Sequence, residues 1–159
     1  KLLKILNNKK TKPLIVKLPP CLEQENDLIE MVKCVQDSGS EGVVISNSHP
    51  IKDSKLNIGF GGLSGKPVYE HTLKMVSKIR KIVDNNFTII GSGGVSTTSD
   101  VWKLIASGAN AVQIYSGVVY EGPFIAYKIN KELKNIFLSN KISSVKELFC
   151  SESPFPSKY

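Results

Sequence analysis

Two glycine-bearing segments carry the residue types best suited to chemistry in this chain. Residues 89–95, IIGSGGV, contain Gly93 and Gly94, which let backbone N–H groups approach an anion without obstruction by a Cβ atom. A helix that begins near Thr98 would add the positive end of its dipole. Residues 113–117, QIYSG, follow with hydroxyl and backbone donors that can complete a phosphate cradle. The glycines could also serve only tight turns, but two such turns in succession favour phosphate binding.

Polar residues also end two apolar runs nearer the start of the chain. Lys17 comes at the end of one run, and a lysine that ends a buried strand needs an anionic or polar partner. Asn47, with Ser46 and Ser48 beside it, ends the next. An amide offers both a donor and an acceptor, as recognition of a planar polar ring requires. The alternatives are a lysine that caps a strand and an Asx turn at the asparagine.

The elements that position these residues are four short, almost wholly apolar runs at 14–18, 42–46, 87–91 and 111–115. Such runs are typical of strands buried on both faces of a parallel sheet. Each is followed by an apolar stripe at helical spacing. The stripes lie at 28–35, 75–83, 101–105 and 125–137, and Ser and Thr residues at 96–99 supply N-cap chemistry for the third helix. Residues 51–60 are expected to be a loop, and 144–149 a short helix.

Four consecutive βα units predict either an open doubly wound sheet or part of a (β/α)8 barrel. The polar residues all follow strands on one rim, which favours the barrel. A full barrel needs roughly 250 residues, so four units are half of one. Alone they would expose two sheet edges and an apolar inner wall. We therefore expect the other half upstream in the same gene product or in a partner chain, with residues 1–150 forming this half and 151–159 an irregular tail.

Composition limits the remaining possibilities. The net charge is +7, with Arg80 the only arginine, which fits a solvated surface, an anionic ligand or an anionic membrane face. Scattered lysines without a recognition motif disfavour nucleic-acid binding. Three cysteines without CxxC spacing argue against a disulfide scaffold or a zinc site. His49 and His71 have no ligand-like neighbours in sequence and are expected at the surface or in loops. No apolar run approaches the length of a membrane span.

Several motifs, in order along the chain, resemble the dihydroorotate dehydrogenase family. Residues 89–109 resemble its C-terminal signature, and residues 16–20, VKLPP, resemble its Val-Lys-apolar-Ala-Pro segment. Residues 44–48, VISNS, resemble its Thr-Asn-Thr strand end, with serines in place of the usual threonines. Residues 61–67, GGLSGKP, match a segment typical of the quinone-linked class. The resemblance runs from about residue 13 to 149 and implies the last four βα units, the C-terminal half, of a TIM barrel.

The resemblance also implies an FMN cofactor and a role for each matching residue. Lys17 and Ser46 would lie at the flavin ring, while Asn47 and Ser48 would bind the orotate ring. The FMN ribityl-phosphate would be held by Ser64, Gly65, Gly93, Gly94, Tyr115 and Ser116. In the quinone-linked class the apolar route by which quinone reaches the flavin would include Tyr115, Val118, Val119 and Pro123; for the valines the alternative is ordinary packing. Glu121 departs from the aromatic or neutral residue expected there.

The activity implied is oxidation of dihydroorotate to orotate in de novo pyrimidine (UMP) biosynthesis. The substrate would lose a proton from C5 and a hydride from C6 to flavin N5, and quinone would reoxidise the flavin. In this class the base is a serine in the first half of the barrel, so this chain contains no catalytic base and no metal ligand, and alone should be inactive. Its partners would be dihydroorotate and orotate, quinone, and the N-terminal half.

Further N-terminal segments would place the protein peripherally on the bacterial cytoplasmic membrane or the mitochondrial inner membrane. Three alternatives stay open at this point. The first is a soluble member of the family that passes electrons to fumarate or NAD, against which residues 61–67 argue. The second is another FMN- or phosphate-binding barrel, such as a dihydrouridine synthase. The third is a non-catalytic structural subunit that retains a half-barrel.

Overall fold

A computed structural model describes residues 1–20, 25–151 and 154–156, with only the backbone of residues 25 and 26. Its centre is a parallel four-stranded sheet made of β1 (Ile15–Lys17), β2 (Gly42–Ile45), β5 (Thr88–Ser92) and β6 (Ala111–Gln113), in that spatial order. A separate antiparallel hairpin, β3 (His49–Lys52) and β4 (Phe60–Leu63), follows β2. All four predicted sheet strands are therefore confirmed.

Helices connect the strands. Those after β1, the hairpin, β5 and β6 are α2 (Glu25–Asp37), α3 (Tyr69–Arg80), α4 (Thr98–Ala106) and α6 (Ile125–Ser139). The chain also contains α1 (Leu2–Lys9), a 3-10 turn (Lys66–Val68), α5 (Ser116–Glu121) and α7 (Val145–Leu148). The predicted cap of α4 is confirmed, because Thr97 accepts from the Asp100 N–H and Asp100 caps in return. The apolar stripe at 75–83 extends beyond the end of its helix, because α3 ends at Arg80.

The core lies between the sheet and these helices. Val43, Ile45 and Ile89 on the helix-facing side of the sheet are fully buried, together with Val32, Ile79 and Leu104 from three helices. Close contact is required at Gly91, where an added Cβ would lie 3.2 Å from the Leu104 side chain. Burial of this apolar surface is the main source of stability for the layer.

The opposite face of the sheet is more open than the sequence predicted. Along β5 the residues alternate between buried and half-buried, and Lys17, Ala111 and Gln113 at the two edge strands are exposed. Only β2 is buried along its whole length. The expectation that every strand is buried on both faces was wrong, because no helix of the described chain covers the inner face of the sheet.

Two other expectations were wrong. Residues 51–60 do not form a simple loop, since both ends of that segment belong to the hairpin, which pairs His49 with Leu63 and Lys52 with Phe60. His49 is not a surface residue, because it is 8% exposed and its ring contacts His71 edge-on, with centroids 4.7 Å apart. Of the predicted tail, Phe155 packs against Trp102, whereas residues 152–153 and 157–159 lie outside the described residues.

Candidate active site at the carboxyl ends of the strands

The polar residues named above meet because the four sheet strands are parallel and end at one edge. Lys17, Ser92 and Gln113 are the last residues of β1, β5 and β6, and Ser46 directly follows β2. Ser46 is tied to this edge by its N–H, which donates to the Ser92 carbonyl at 2.8 Å. The hairpin then returns the chain so that residues 64 and 65 lie over the same edge.

A cleft of about 400 Å³ occupies this edge. Ten predicted ligands line it: Lys17, Ser46, Asn47, Ser48, Ser64, Gly65, Gly93, Gly94, Tyr115 and Ser116. The lining also includes Gln113, which begins the QIYSG segment, and Val68, which the sequence did not single out. Its size lies within the range usual for small-molecule and cofactor sites. The structure thus brings these ten residues together, while their individual roles stay predictions.

The remaining predicted residues lie beside the cleft rather than in its wall. Val118, Val119 and Pro123 belong to α5 or follow it, and Val119 is 78% exposed. With Tyr120 and Phe124 they form an exposed apolar patch next to Tyr115. Nothing in the described part of the chain packs over this patch, so the quinone route stays a prediction.

Glu121, whose role the sequence left open, faces away from the cleft. It is exposed and lines a separate groove with residues from α6, among them Lys128 and Glu132. A carboxylate at this position therefore places no charge in the cleft wall.

Three turns converge at one end of the cleft. Ser116, at the start of α5, donates from its hydroxyl to the Ser64 hydroxyl at 2.9 Å. Gly65 follows with φ of 80°, and the Val68 N–H closes its turn on the Gly65 carbonyl at 3.1 Å. The Gly93–Gly94 turn completes the group. Hydroxyl and backbone donors from separate turns thus face one space, as a phosphate group requires.

Gly93 and Gly94 have a steric role as well. Their φ angles are 146° and 75°, and an added Cβ would lie 2.4 Å from the Thr72 hydroxyl oxygen at Gly93 and 2.7 Å from Tyr69 at Gly94. These glycines therefore let the turn pack directly on the start of α3. Within the described residues, the N–H groups of Gly93 and Gly94 have no backbone acceptor and stay available to a ligand.

The other end of the cleft carries groups suited to a polar ring. Asn47 is exposed, its N–H donates to the Leu18 carbonyl at 3.1 Å, and its Oδ1 accepts from the Ser48 N–H at 2.9 Å. This bond is to the next residue, not to the second residue on as in an Asx turn, and it leaves the side-chain NH₂ free to donate. Ser48 rests against Gly62 of the hairpin, where a Cβ would lie 2.4 Å from its hydroxyl oxygen.

Two charged residues next to the Gly65 and Gly93–Gly94 turns were not recognised as part of the site from sequence. Lys66 and Asp100 form an ion pair with 2.6 Å between Nζ and Oδ1. Burial acts to raise the pKa of Asp100, but the bonds from Lys66, Ser96 and Thr97 outweigh it and hold the pKa below 3.8. The helix-capping pattern at 96–100 drew attention to Asp100 in the sequence. Its partner Lys66 lies in a turn distant in sequence, and no local pattern indicated it.

No group of three or more potential metal ligands occurs among the described residues. Cys34 and Cys150 are free thiols, and Cys21 lies outside the described residues. No helix in the described ranges is long and apolar enough to cross a membrane.

A parallel βα sheet with glycine-bearing turns at the carboxyl ends of its strands is typical of phosphate-binding βα-barrel proteins. The profile of the dihydroorotate dehydrogenase family matches residues 1–137. The chain therefore belongs to the dihydroorotate dehydrogenase family, an FMN-dependent family of oxidoreductases.

Relatives and solved structures agree with this assignment. A dihydroorotate dehydrogenase (quinone) of Halobacterium salinarum is 33% identical over 92% of this chain and 42% of its own length. The Dichelobacter nodosus protein of the same name is 39% identical over 72% of this chain and 34% of its own. The ligand-free dihydroorotate dehydrogenase of Eimeria tenella superposes with a TM-score of 0.74 at 31% identity, covering 86% of this chain and 39% of the other.

The chain thus spans about two fifths of the length of the relatives that it matches. Its four βα units correspond to part of a TIM barrel, which confirms the predicted half-barrel architecture. The open inner face of the sheet agrees with this result, since a complete barrel closes that face with further strands.

Proposed function

We propose that this chain is the C-terminal half of a quinone-dependent dihydroorotate dehydrogenase and supplies residues that bind FMN and orotate. The observation that carries the proposal is one cleft in which ten residues from five separate segments meet. The names of the relatives support the quinone class. The activity belongs to the complete barrel, whose other half would supply the catalytic base.

The donors around the cleft fit FMN at both ends. The free N–H groups of Gly93 and Gly94 and the hydroxyls of Ser64 and Ser116 suit a phosphate dianion. The Lys17 ammonium, at the end of β1, suits the opposite end, where a cation stabilises negative charge on a ring system. When bound, FMN would supply the two-electron acceptor chemistry that amino-acid side chains lack.

The chain's own residues would orient the substrate. The free NH₂ of Asn47 would donate to a carbonyl or carboxylate oxygen of dihydroorotate, and the Ser48 hydroxyl would add a second bond. Ser46 is 5% exposed and its N–H is hydrogen-bonded to the Ser92 carbonyl, so it would offer a rigid packing surface to the cofactor ring. Orientation of this kind accounts for a large part of catalysis in reactions between two bound groups.

Electron transfer to quinone would use the apolar patch next to Tyr115. Tyr115 is 87% exposed, lines the cleft and lies next to Val118 and Val119. The cleft would therefore open directly onto the exposed apolar patch. Segments outside this chain would cover the patch and provide the peripheral membrane contact of the enzyme.

Steady-state assays of the complete enzyme test the proposal. Orotate formation should be supported by a short-chain ubiquinone analogue and not by fumarate or NAD. Faster turnover with fumarate or NAD would move the protein to the soluble classes. If an enzyme with stoichiometric FMN formed no orotate with any of these acceptors, the assignment of dihydroorotate as its substrate would be wrong.

A further inference from the structure

Lys66 and Asp100 connect the two turns to which the proposed function assigns the phosphate. Lys66 directly follows Gly65, and Asp100 lies in the first turn of α4, six positions after Gly94. Their 2.6 Å ion pair joins residues 34 positions apart. Neither side chain is part of the cleft wall.

Asp100 is held from several directions. It is 3% exposed, and its Oδ2 accepts from the N–H groups of Ser96 and Thr97, both at 3.0 Å. Its Oδ1 accepts from Lys66. These donors hold the Asp100 carboxylate in one orientation, so its Oδ1 offers a fixed partner to the Lys66 ammonium, whose side chain is 60% exposed.

Tyr69 makes the connection rigid. Its hydroxyl donates to the Asp100 carbonyl at 2.9 Å, and the Lys66 ammonium lies 4.6 Å from the centre of its ring. The backbones of the two turns also touch, since a Cβ on Gly94 would lie 2.8 Å from the Gly65 carbonyl oxygen. The ion pair therefore closes a contact that already exists between the turns.

We propose that Lys66 and Asp100 are positioning residues for the cofactor phosphate. The pair fixes the Gly65 turn against the Gly93–Gly94 turn, so that donors from both reach one phosphate without rearrangement. Lys66 also neutralises Asp100, which would otherwise present a buried negative charge close to the phosphate dianion. The inference rests on the proposed function, because it takes the phosphate of FMN as the ligand of these turns.

The test compares two ligands that differ only in the phosphate. Dissociation constants for FMN and riboflavin are measured by flavin fluorescence on the complete enzyme stripped of cofactor. In the Lys66→Met variant, FMN affinity should fall about tenfold or more while riboflavin affinity changes little. Lys66→Arg, which keeps the charge, should restore most of the preference for FMN.

Two further variants complete the test. Lys10→Met removes an ion pair far from the cleft, to Glu41, and should leave both dissociation constants unchanged. Lys66→Met/Asp100→Asn removes both charges and should stay impaired in FMN binding, because the connection between the turns is still lost. Loss of the same factor for FMN and riboflavin in Lys66→Met would show a merely structural role and overturn the inference, as would unchanged FMN affinity.

The two proposals fail differently. Wild-type enzyme that binds FMN and riboflavin equally would contradict the phosphate site, and with it the proposed function of these turns. Wild-type enzyme that prefers FMN, beside Lys66→Met enzyme with the same preference, would contradict the role of the ion pair alone.

Discussion

At the scale of single residues, the site could be predicted where strand ends reveal it. Lys17, Asn47, Gly93 and Ser116 each lie at or near the end of an apolar run, and in a parallel sheet such positions share an edge. Lys66 could not be found in this way, because its role depends on a carboxylate 34 positions later. Contacts between distant residues follow from packing and leave no local pattern.

The two histidines show the same limit. His49 and His71 are 22 positions apart in the sequence, yet their rings meet, and the Nε2 atom of each is buried without a hydrogen-bond partner in the described structure. Burial lowers the pKa of His49 from 6.5, and burial together with His49, Lys74 and Lys78 lowers that of His71.

We expect the pair to make stability fall in acid. A group whose folded pKa is lowered favours the neutral form, so its contribution is present above the ordinary pKa of 6.5 and is lost as pH falls below it. Denaturant unfolding of the complete protein between pH 7.5 and 5 should show this loss, and His71→Gln should reduce the slope. An unchanged slope in the variant would contradict the assignment. Asn57→Ala, in the exposed hairpin loop, serves as a control.

At the scale of elements, the strands and helices of the βα units could be predicted, because the strands are continuous apolar runs and the helices carry apolar residues at helical spacing. The hairpin could not, since β4 is a four-residue strand, FGGL, with two glycines and no alternation of polar and apolar residues. It forms because its partner β3 lies alongside, and it positions Ser48 and Ser64 at the cleft.

Arg80 holds three elements together and appeared in the sequence only as the single arginine. It is 8% exposed at the end of α3 and donates to the carbonyls of Gly108, Asp84 and Phe87 and to the Asn110 side chain. Gly108, with φ of 104°, lies so close that an added Cβ would be 2.4 Å from Arg80 Cγ.

Gly108→Ala should therefore destabilise the protein more than Gly59→Ala. Gly59 also has a positive φ, 72°, but nothing lies within 4 Å of an added Cβ. The φ of 104° at Gly108 also lies further from the left-handed region that other residues can adopt, so backbone strain and crowding against Arg80 together give an expected difference of about 1–3 kcal/mol. Urea unfolding of both variants gives the comparison. Equal losses would mean that the contact with Arg80 relaxes freely.

At the scale of the whole molecule, the sheet is an incomplete layer. Its helix-facing side is buried, whereas the inner side and both edge strands, β1 and β6, stay open. The sequence predicted this architecture from its length and its four βα units. It could not indicate how further βα units would pack against this sheet, because such contacts would involve residues outside the chain.

Hydrogen exchange should reveal the missing half directly. Amides of β1 and β6 should exchange faster in the isolated chain than in the complete enzyme, because only the complete barrel pairs both edges. Amides of β2, which is buried in this chain already, provide the internal control. Equal protection of the edge strands in both samples would contradict closure of the barrel across these edges.

The most direct test of the central claim is the flavin absorbance of the complete enzyme without oxygen. Dihydroorotate should bleach the absorbance near 450 nm within the time of one turnover, an estimate of about 0.1 s from typical enzyme rates, and a ubiquinone analogue should then restore it. Asn47→Ala should need far more dihydroorotate for the same bleaching while it keeps its FMN. A yellow enzyme that dihydroorotate does not bleach, although dithionite does, would contradict the assignment of this cleft to dihydroorotate.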